Sequence, residues 1–386
     1  MTAIQHHSLS EVECDRITGR LAAIRLDLEQ RGLTALLVQG DQDIRCIAGC
    51  FGHDTRLLIT PRRAVLVSDR RYEEYLEPWL ASEKFEIAIG NRPEQLKRMG
   101  EILVEDDCES LAVQSEQVTL AESEQLRQAF DPIALTPVSG LMDAHRQRKT
   151  PEEIDAIRAA IVVQGEALHD TLDALRLGMT EGQVAARLIY EMRRRGAESE
   201  AFEPIVGSGA NASVIHHVPG SHPVDTGVLL IDWGARVNGL CSDLTRTFFL
   251  GEPDEQMARM YNVVAEAQLA AIAACTPGTT GTEVDAAARQ VIDAAGWGDQ
   301  FAHGVGHGLG RDVHERPFMG RAGTESVLET GMVVTIEPGI YLPGIGGVRI
   351  EDDILVTETG PEVLSEALDK RLETAILPIP TGAIES

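Results

Sequence analysis

The sequence predicts a chain of two domains, the first of them α/β, and three observations predict it. At 386 residues the chain exceeds what one hydrophobic core comfortably organises. From residue 15 to about 145, helical and strand-like stretches alternate, as they do in a small α/β domain. Beyond about 148 the texture changes to helices and acid-bearing strands, and this second region echoes itself. "LGMTEGQVAARL" at 177–188 resembles "PGTTGTEVDAAA" at 277–288, with Gly178, Thr180, Val184 and Ala186 recurring at an offset of 100 as Gly278, Thr280, Val284 and Ala286.

In chain order, residues 15–31 read as a helix stopped by Gly32. "LTALLVQG", "RAVLVSD" and "SLAVQS" read as strands. "KTPEEIDAIRAA" opens a helix with Thr150 as N-cap, Pro151 at the first turn and Glu153 closing a capping box, so the boundary falls at 146–150. The two copies of the echo predict helices capped at Thr180 and Thr282.

Composition removes several function classes. Hydrophobic residues make up 43 %, ordinary for a globular protein, and no apolar run is long enough to span a bilayer. "MTAIQHHSLSEVECDR" lacks the basic and apolar regions of a secretory leader, which predicts a cytoplasmic protein. A formal charge of −27 argues against nucleic acid and anionic membranes as partners and favours cations. Cys14, Cys46, Cys50, Cys108, Cys241 and Cys275 form no CxxC pair, so reduced, mostly buried thiols are expected.

The carboxylates carry the chemistry. In "VLLIDWGARVNGLCSDLTRTFFL", Asn238-Gly239 signals a two-residue hairpin turn. Pairing Val237 with Leu240 sets Asp232 opposite Thr245 and Asp243 opposite Gly234, both aspartates on one face as diagonal neighbours roughly 7–8 Å apart. Two acids on buried strands repel unless a cation lies between them; the bland alternative is a solvated hairpin face. "GMVVTIEPGIYL" reads as a strand ending in Glu337. "GGVRIEDDILVT" reads as another, with Arg349, Glu351 and Asp353 on one face and Val348, Ile350 and Ile354 on the other.

"HGVGHGLGRDVHE", 303–315, holds His303, His307 and His314 among four glycines. It is neither HExxH nor a dinucleotide-binding loop, and its glycines argue against a helix. Extended, it sets His303, Val305, His307 and Leu309 on one side, with glycines opposite that allow another backbone close. His216-His217 follows "IVGSGANASVI", which lacks the GK[ST] ending of a phosphate loop.

Together these motifs resemble the proline-specific M24B metallopeptidases, the creatinase, aminopeptidase P and prolidase group. The resemblance implies an N-terminal creatinase-like α/β domain over 1–147. An α+β pita-bread catalytic domain with internal pseudo-two-fold duplication is implied over 148–386. It implies that Asp232 binds one metal ion, His307 and Glu337 the other, and that Asp243 and Glu351 bridge. His216, at the family's "IVxSGxNxxxxH" position, is implied with His303 and His314 to touch substrate and intermediate, and Tyr341 and Arg349 to form a network around Asp232. Two divalent ions are implied, Mn²⁺ before Co²⁺ or Zn²⁺, lowering the pKa of an attacking water. Glu337 would shuttle a proton to the departing proline nitrogen and imidazoles would steady the oxyanion. The implied substrate is a proline-containing peptide cut on the N-terminal side of proline, by an aminopeptidase or a dipeptidase, in a homodimer or tetramer. The chain departs from the family pattern at Arg311 and Trp233, either of which could reshape the pocket. Rivals on the same fold are a dimethylsulfoniopropionate-type lyase, a metal-free creatinase-like amidinohydrolase, methionine aminopeptidase and a non-catalytic binding module. Five intact ligand positions count against the metal-free and non-catalytic forms.

Overall fold

The structure is a computed structural model and describes residues 9–50, 52, 54–321 and 326–379. The first eight residues, on which the reading of no leader partly rests, lie outside it. The chain divides into two compact units, Met1–Arg146 and Gln147–Ser386.

The first unit opens with helix Glu11–Gln30, longer at its start than periodicity predicts. Ser10 and Glu13 form a capping box that moves the first turn upstream. Its buried residues Ile17, Leu21, Ile24 and Leu28 form one stripe. The three expected strands are present as Ala35–Val38, Ala64–Ser68 and Ser110–Gln114. They lie in a mixed six-stranded sheet with strand Ala35–Val38 central. Leu36 and Val38 enter one core while Ala35 and Leu37 enter another, so both faces are covered. Strand Arg56–Ile59, not expected, pairs antiparallel with the second of them through a short turn.

The second unit repeats a plan. Helices Pro151–Ala174 and Glu181–Arg194 pack on the first set of strands, and helices Glu255–Ala274 and Gly281–Ala294 on the second. Thr150 caps the first helix through the expected box with Glu153. The repeated turns match bond for bond. Gly178 N donates to Val224 O and Gly278 N to Leu328 O; Glu181 N donates to His222 O and Gly281 N to Ser326 O. Gly178 and Gly278 both hold positive φ, 84° and 92°, which glycine adopts without strain. The second cap is Thr280, boxed with Glu283, and not Thr282. The threonine that opens the helix is the one the turn holds extended, and Thr282 already lies inside the first turn.

Each half supplies a sheet. One joins strands Ile205–Ser208, Gly227–Trp233 and Leu244–Leu250; the other joins Gly306–Gly308, Glu315–Met319, Val333–Ile336 and Asp352–Thr357. The hairpin register is the expected one, Val237 opposite Leu240 and Asp232 opposite Thr245. Its ladder is interrupted beside Asp243, however. A Cβ on Gly234 would lie 2.3 Å from Ser242 O, so backbone crosses close there, and the Asp243 N–H turns to Asp353 Oδ2 at 3.2 Å. The expected continuous strand through "GGVRIEDDILVT" is instead two. Gly346–Arg349 pairs with Gly339–Leu342, and Asp352–Thr357 pairs with Val333–Ile336. The change of partner falls at Ile350-Glu351, and Glu351 N donates to Thr245 O of the first half. Glu337 likewise follows the last residue of its strand, its N–H donating to Val305 O.

Candidate metal centre

Four carboxylates and one imidazole meet where the strands of both halves change partner. Asp232 is the penultimate residue of strand Gly227–Trp233, and Asp243 precedes Leu244–Leu250. The two halves are zipped together behind them. Thr247 Oγ1 donates to Arg349 O at 2.9 Å, Arg246 donates to Glu351 O, and Arg246 Nη2 pairs with Asp352 Oδ1 at 2.7 Å. Asp352 is further held by Ser365 at 2.6 Å, Gln268 at 2.9 Å and Lys370. This fully bonded acid fixes the chain beside Glu351, and the same run of acids thus divides between scaffold and site.

Ligating atoms of Asp243, His307 and Glu351 lie within 4.8 Å of one another, all three buried. His307 Nε2 is 3.7 Å from Asp243 Oδ2 and 3.5 Å from Glu337 Oε1. Its Nδ1 is 3.1 Å from Gly308 O. A carbonyl only accepts, so Nδ1 carries the proton and the Nε2 lone pair faces the acids, as a metal ligand requires. The flanking glycines permit this approach. A Cβ at Gly306 would lie 2.0 Å from Thr335 O, and one at Gly308 would lie 2.3 Å from Arg316 O. Side chains at either position would drive the histidine strand off its neighbours.

The electrostatics call for positive charge. Burial, then the charges of Glu351, Asp232, Asp353 and Glu337, hold the Asp243 carboxyl well above its usual range. Burial, then Glu337 and Asp232, does the same for Glu351, and burial raises Glu337 to about 8. Asp232 is also raised by burial, against the pull of Arg349. Burial pushes His307 down to about 3, keeping it neutral. Among the described residues, Asp232 Oδ1 is buried with no hydrogen-bond partner, while Oδ2 accepts from Arg349 Nη2 at 2.7 Å. A buried carboxylate oxygen without a donor, facing mutually repelling acids, fits a divalent cation. The donor set, four carboxylates and one imidazole, suits hard or borderline ions.

A cavity of about 560 Å³ opens over these groups, and His216, His217, His303 and His314 also line it. The ring of His314 stands 4.3 Å from that of His307, and burial lowers its pKa. His303 Nδ1 donates to Gly304 O at 2.8 Å and its Nε2 lies 2.9 Å from Tyr341 Oη. Arg349 Nη1 donates to the same hydroxyl at 2.9 Å, so Tyr341 must donate onward to His303. Both ring nitrogens of His303 are therefore engaged by protein groups. Burial opposes the Arg349 charge, but Tyr341, Asp232, Glu337 and Glu351 hold it firmly protonated. Trp233 and Arg311 do not line the cavity. Trp233 is fully buried and donates to Gln164 O at 3.0 Å, and Arg311 is buried against Glu153 at 2.8 Å. Their bulk is absorbed by the helix that begins at Pro151.

The model of metallopeptidase family M24 matches residues 155–358. The chain belongs to metallopeptidase family M24. The model of the creatinase/prolidase N-terminal domain matches residues 20–148 of the same M24 chain. A peptidase of Bacillus subtilis, YqhT, is 34 % identical over 349 residues, 90 % of this chain and 98 % of its own. A solved structure of the Xaa-Pro dipeptidase from Bacillus anthracis superposes with a TM-score of 0.89 at 34 % identity. It covers 94 % of this chain and 100 % of that one. The X-Pro aminopeptidase from Thermotoga maritima gives 0.82 at 30 % identity, with 90 % and 98 % covered. These full-length likenesses carry the M24 assignment through both units, pita-bread fold included.

Three features of this M24 site were not singled out in the sequence. Thr245 Oγ1 donates to Glu351 Oε2 at 2.7 Å and accepts from Arg349 Nε at 2.9 Å. Its place opposite Asp232 in the hairpin was the available signal. Glu181, fully buried, accepts from Ser208 N and Asn211 Nδ2, both at 2.9 Å, and meets His217 Nε2 at 2.7 Å. Asp353, beside the acids, has one buried oxygen with no partner. The period-two pattern had set Asp353 on the face of Glu351, whereas Glu181 could not be told from a solvated acid by pattern.

Proposed function

We propose that this chain is a dinuclear-metal Xaa-Pro exopeptidase that hydrolyses the peptide bond N-terminal to proline. The observation that carries this reading is the convergence of Asp232, Asp243, His307, Glu337 and Glu351 at one cavity of an M24 chain, with a buried Asp232 oxygen that has no hydrogen-bond partner among the described residues. Asp232 would hold one ion, His307 and Glu337 a second, with Asp243 and Glu351 shared. Mn²⁺ is the first choice, Co²⁺ and Zn²⁺ the next. Bound divalent ions supply a nucleophilic water at neutral pH and polarise the scissile carbonyl.

The protein's own groups do the rest. Glu337, which lines the cavity beside His307, would carry a proton toward the proline nitrogen as it departs. His314 and His216 line the cavity and offer imidazole N–H groups to the oxygen that gains charge. His303 contributes through Tyr341 and Arg349, which together orient Asp232. We take 1–147 as the N-terminal domain and 148–386 as the catalytic one, in a cytoplasmic homodimer or tetramer. Proline needs such an enzyme because its tertiary amide lacks an N–H and restricts φ.

The test is hydrolysis of Ala-Pro-Ala and Ala-Ala-Ala by full-length protein with added Mn²⁺, alongside metal analysis. Mn²⁺-dependent cleavage of the Ala-Pro bond, with Ala-Ala-Ala left intact, is the expected result. Metal-loaded protein that leaves every Xaa-Pro peptide whole would refute the reading. The lyase alternative predicts release of acrylate from a sulfonium propionate instead.

A further inference from the structure

Among the described residues, the cavity is lined by one guanidinium and no lysine. That guanidinium, Arg349, is buried and already bonds Asp232, Thr245 and Tyr341. Arg321, next after the lining residue Gly320, is exposed and not part of the lining. Residues 322–325 are Ala, Gly, Thr and Glu, and contain no cation. Apart from His216, His217, His303, His307 and His314, the rest of the lining is apolar and acidic. Phe318 and Val218 stand 42 % and 69 % exposed, Phe202 and Pro219 join them, and Glu203 adds an exposed carboxylate with no ion-pair partner among the described residues.

A free Xaa-Pro dipeptide ends in a carboxylate one residue past the bond to be cut. Bound here, that carboxylate would leave water for a surface with no free guanidinium or ammonium group to pair it and with the Glu203 carboxylate in the same lining. A peptide that continues beyond proline presents a neutral amide at the same place. Resting on the Xaa-Pro reading above, we infer that the cavity selects peptides extended past proline over free Xaa-Pro dipeptides, with Glu203 as a specificity-determining side chain. This is aminopeptidase selectivity in a chain whose similar structures carry both names.

The experiment compares kcat/KM of the Mn²⁺-loaded, full-length enzyme for Ala-Pro, Ala-Pro-amide and Ala-Pro-Ala. The amide has the dipeptide's length without its charge. Ala-Pro-amide and Ala-Pro-Ala, which both carry a neutral amide directly after proline, should exceed Ala-Pro by about tenfold or more, the size of one uncompensated charge contact in a partly hydrated site. E203Q should raise the ratio of Ala-Pro to Ala-Pro-amide by about threefold, and R321A should leave that ratio unchanged. Equal or faster cleavage of Ala-Pro overturns the inference while leaving the Xaa-Pro reading intact. So does an amide as slow as the free dipeptide, since length and not charge would then decide. A fall in Ala-Pro cleavage in R321A overturns it too, by revealing a cation at work. Failure of all three substrates with metal bound brings down the Xaa-Pro reading itself.

Discussion

In the first half of the catalytic unit, Thr180 caps a helix whose next residue is the buried acid Glu181; in the second, Thr280 caps a helix whose next residue is Gly281. A Cβ at Gly281 would lie 2.6 Å from Phe318 O, so the second copy has no room for an acid there. Its buried acid comes one turn later, as Asp285, paired with Arg289 at 2.5 Å and accepting from Val305 N at 3.0 Å. Arg289 in turn donates to Phe301 O at 2.9 Å and to His303 O. The first acid thus reaches a histidine at the cavity, while the second braces the backbone that carries two others. The duplication repeats the turn, the cap and the apolar stripe, Val184, Leu188 and Met192 against Val284, Ala288 and Ile292. The polar positions are where the halves part, because each half faces a different side of the shared centre.

The strongest break in this comparison comes at the centre both halves build. Asp243→Ala removes a proposed ligand from the first half and Glu351→Ala one from the second. Each should lower kcat by about a thousandfold or more, because metal catalysis is worth several kcal/mol. Activity and bound metal are measured together, and near-normal turnover in either variant would sink the shared-ligand assignment.

The two buried acids should then separate. Asp285→Ala leaves Arg289 buried without its partner and should cost about 3–5 kcal/mol in denaturant unfolding. Glu181→Ala removes three hydrogen bonds and should cost about 2–3 kcal/mol in the same measurement. The reverse ranking in unfolding would contradict the division of labour.

Metal removal should expose a pH dependence of defined sign. The Glu337 carboxyl stands at about 8 in the folded protein against an ordinary 4.5. Between those values the folded, metal-free protein holds a proton that the unfolded chain has released, so its stability falls as pH rises. Chelator-treated protein should therefore show a decreasing Tm from about pH 5 to about pH 8, and the gap to metal-loaded protein should widen. A Tm of stripped protein that climbs through this range would show that burial does not hold the Glu337 proton in the folded state.

The smallest effect tests the likeness of the halves. Thr180→Ala and Thr280→Ala should each cost about 1 kcal/mol, alike within error, since both threonines close the same capping box. The corresponding change at Thr282 should cost less.

Local rules were legible wherever the signal was local. Asn238-Gly239 set the hairpin register because only residues at ease with φ above zero make that turn, and the two hold 50° and 75°. Thr150, Pro151 and Glu153 marked the helix that opens the second unit. The misplaced cap at Thr282 shows the limit of such rules, since threonines stand at 279, 280 and 282 and only the folded turn selects one. The strand through Glu351 failed for a different reason. Period-two patterning cannot show a change of pairing partner, because the partner lies far away in the chain.

The sequence by itself determined the change of texture near 148, the helix start at Thr180, the hairpin register and, through family resemblance, which five residues to watch. Each of these is written in neighbouring residues or in a spaced motif. Tertiary structure alone decided that Asp352 is scaffold while Glu351 faces the centre, and that Glu181 and Thr245 support the site. It also decided that Trp233 and Arg311 turn away from the cavity. Those outcomes depend on which distant strand supplies a donor or a like charge, and electrostatics acts through space without regard to separation along the chain.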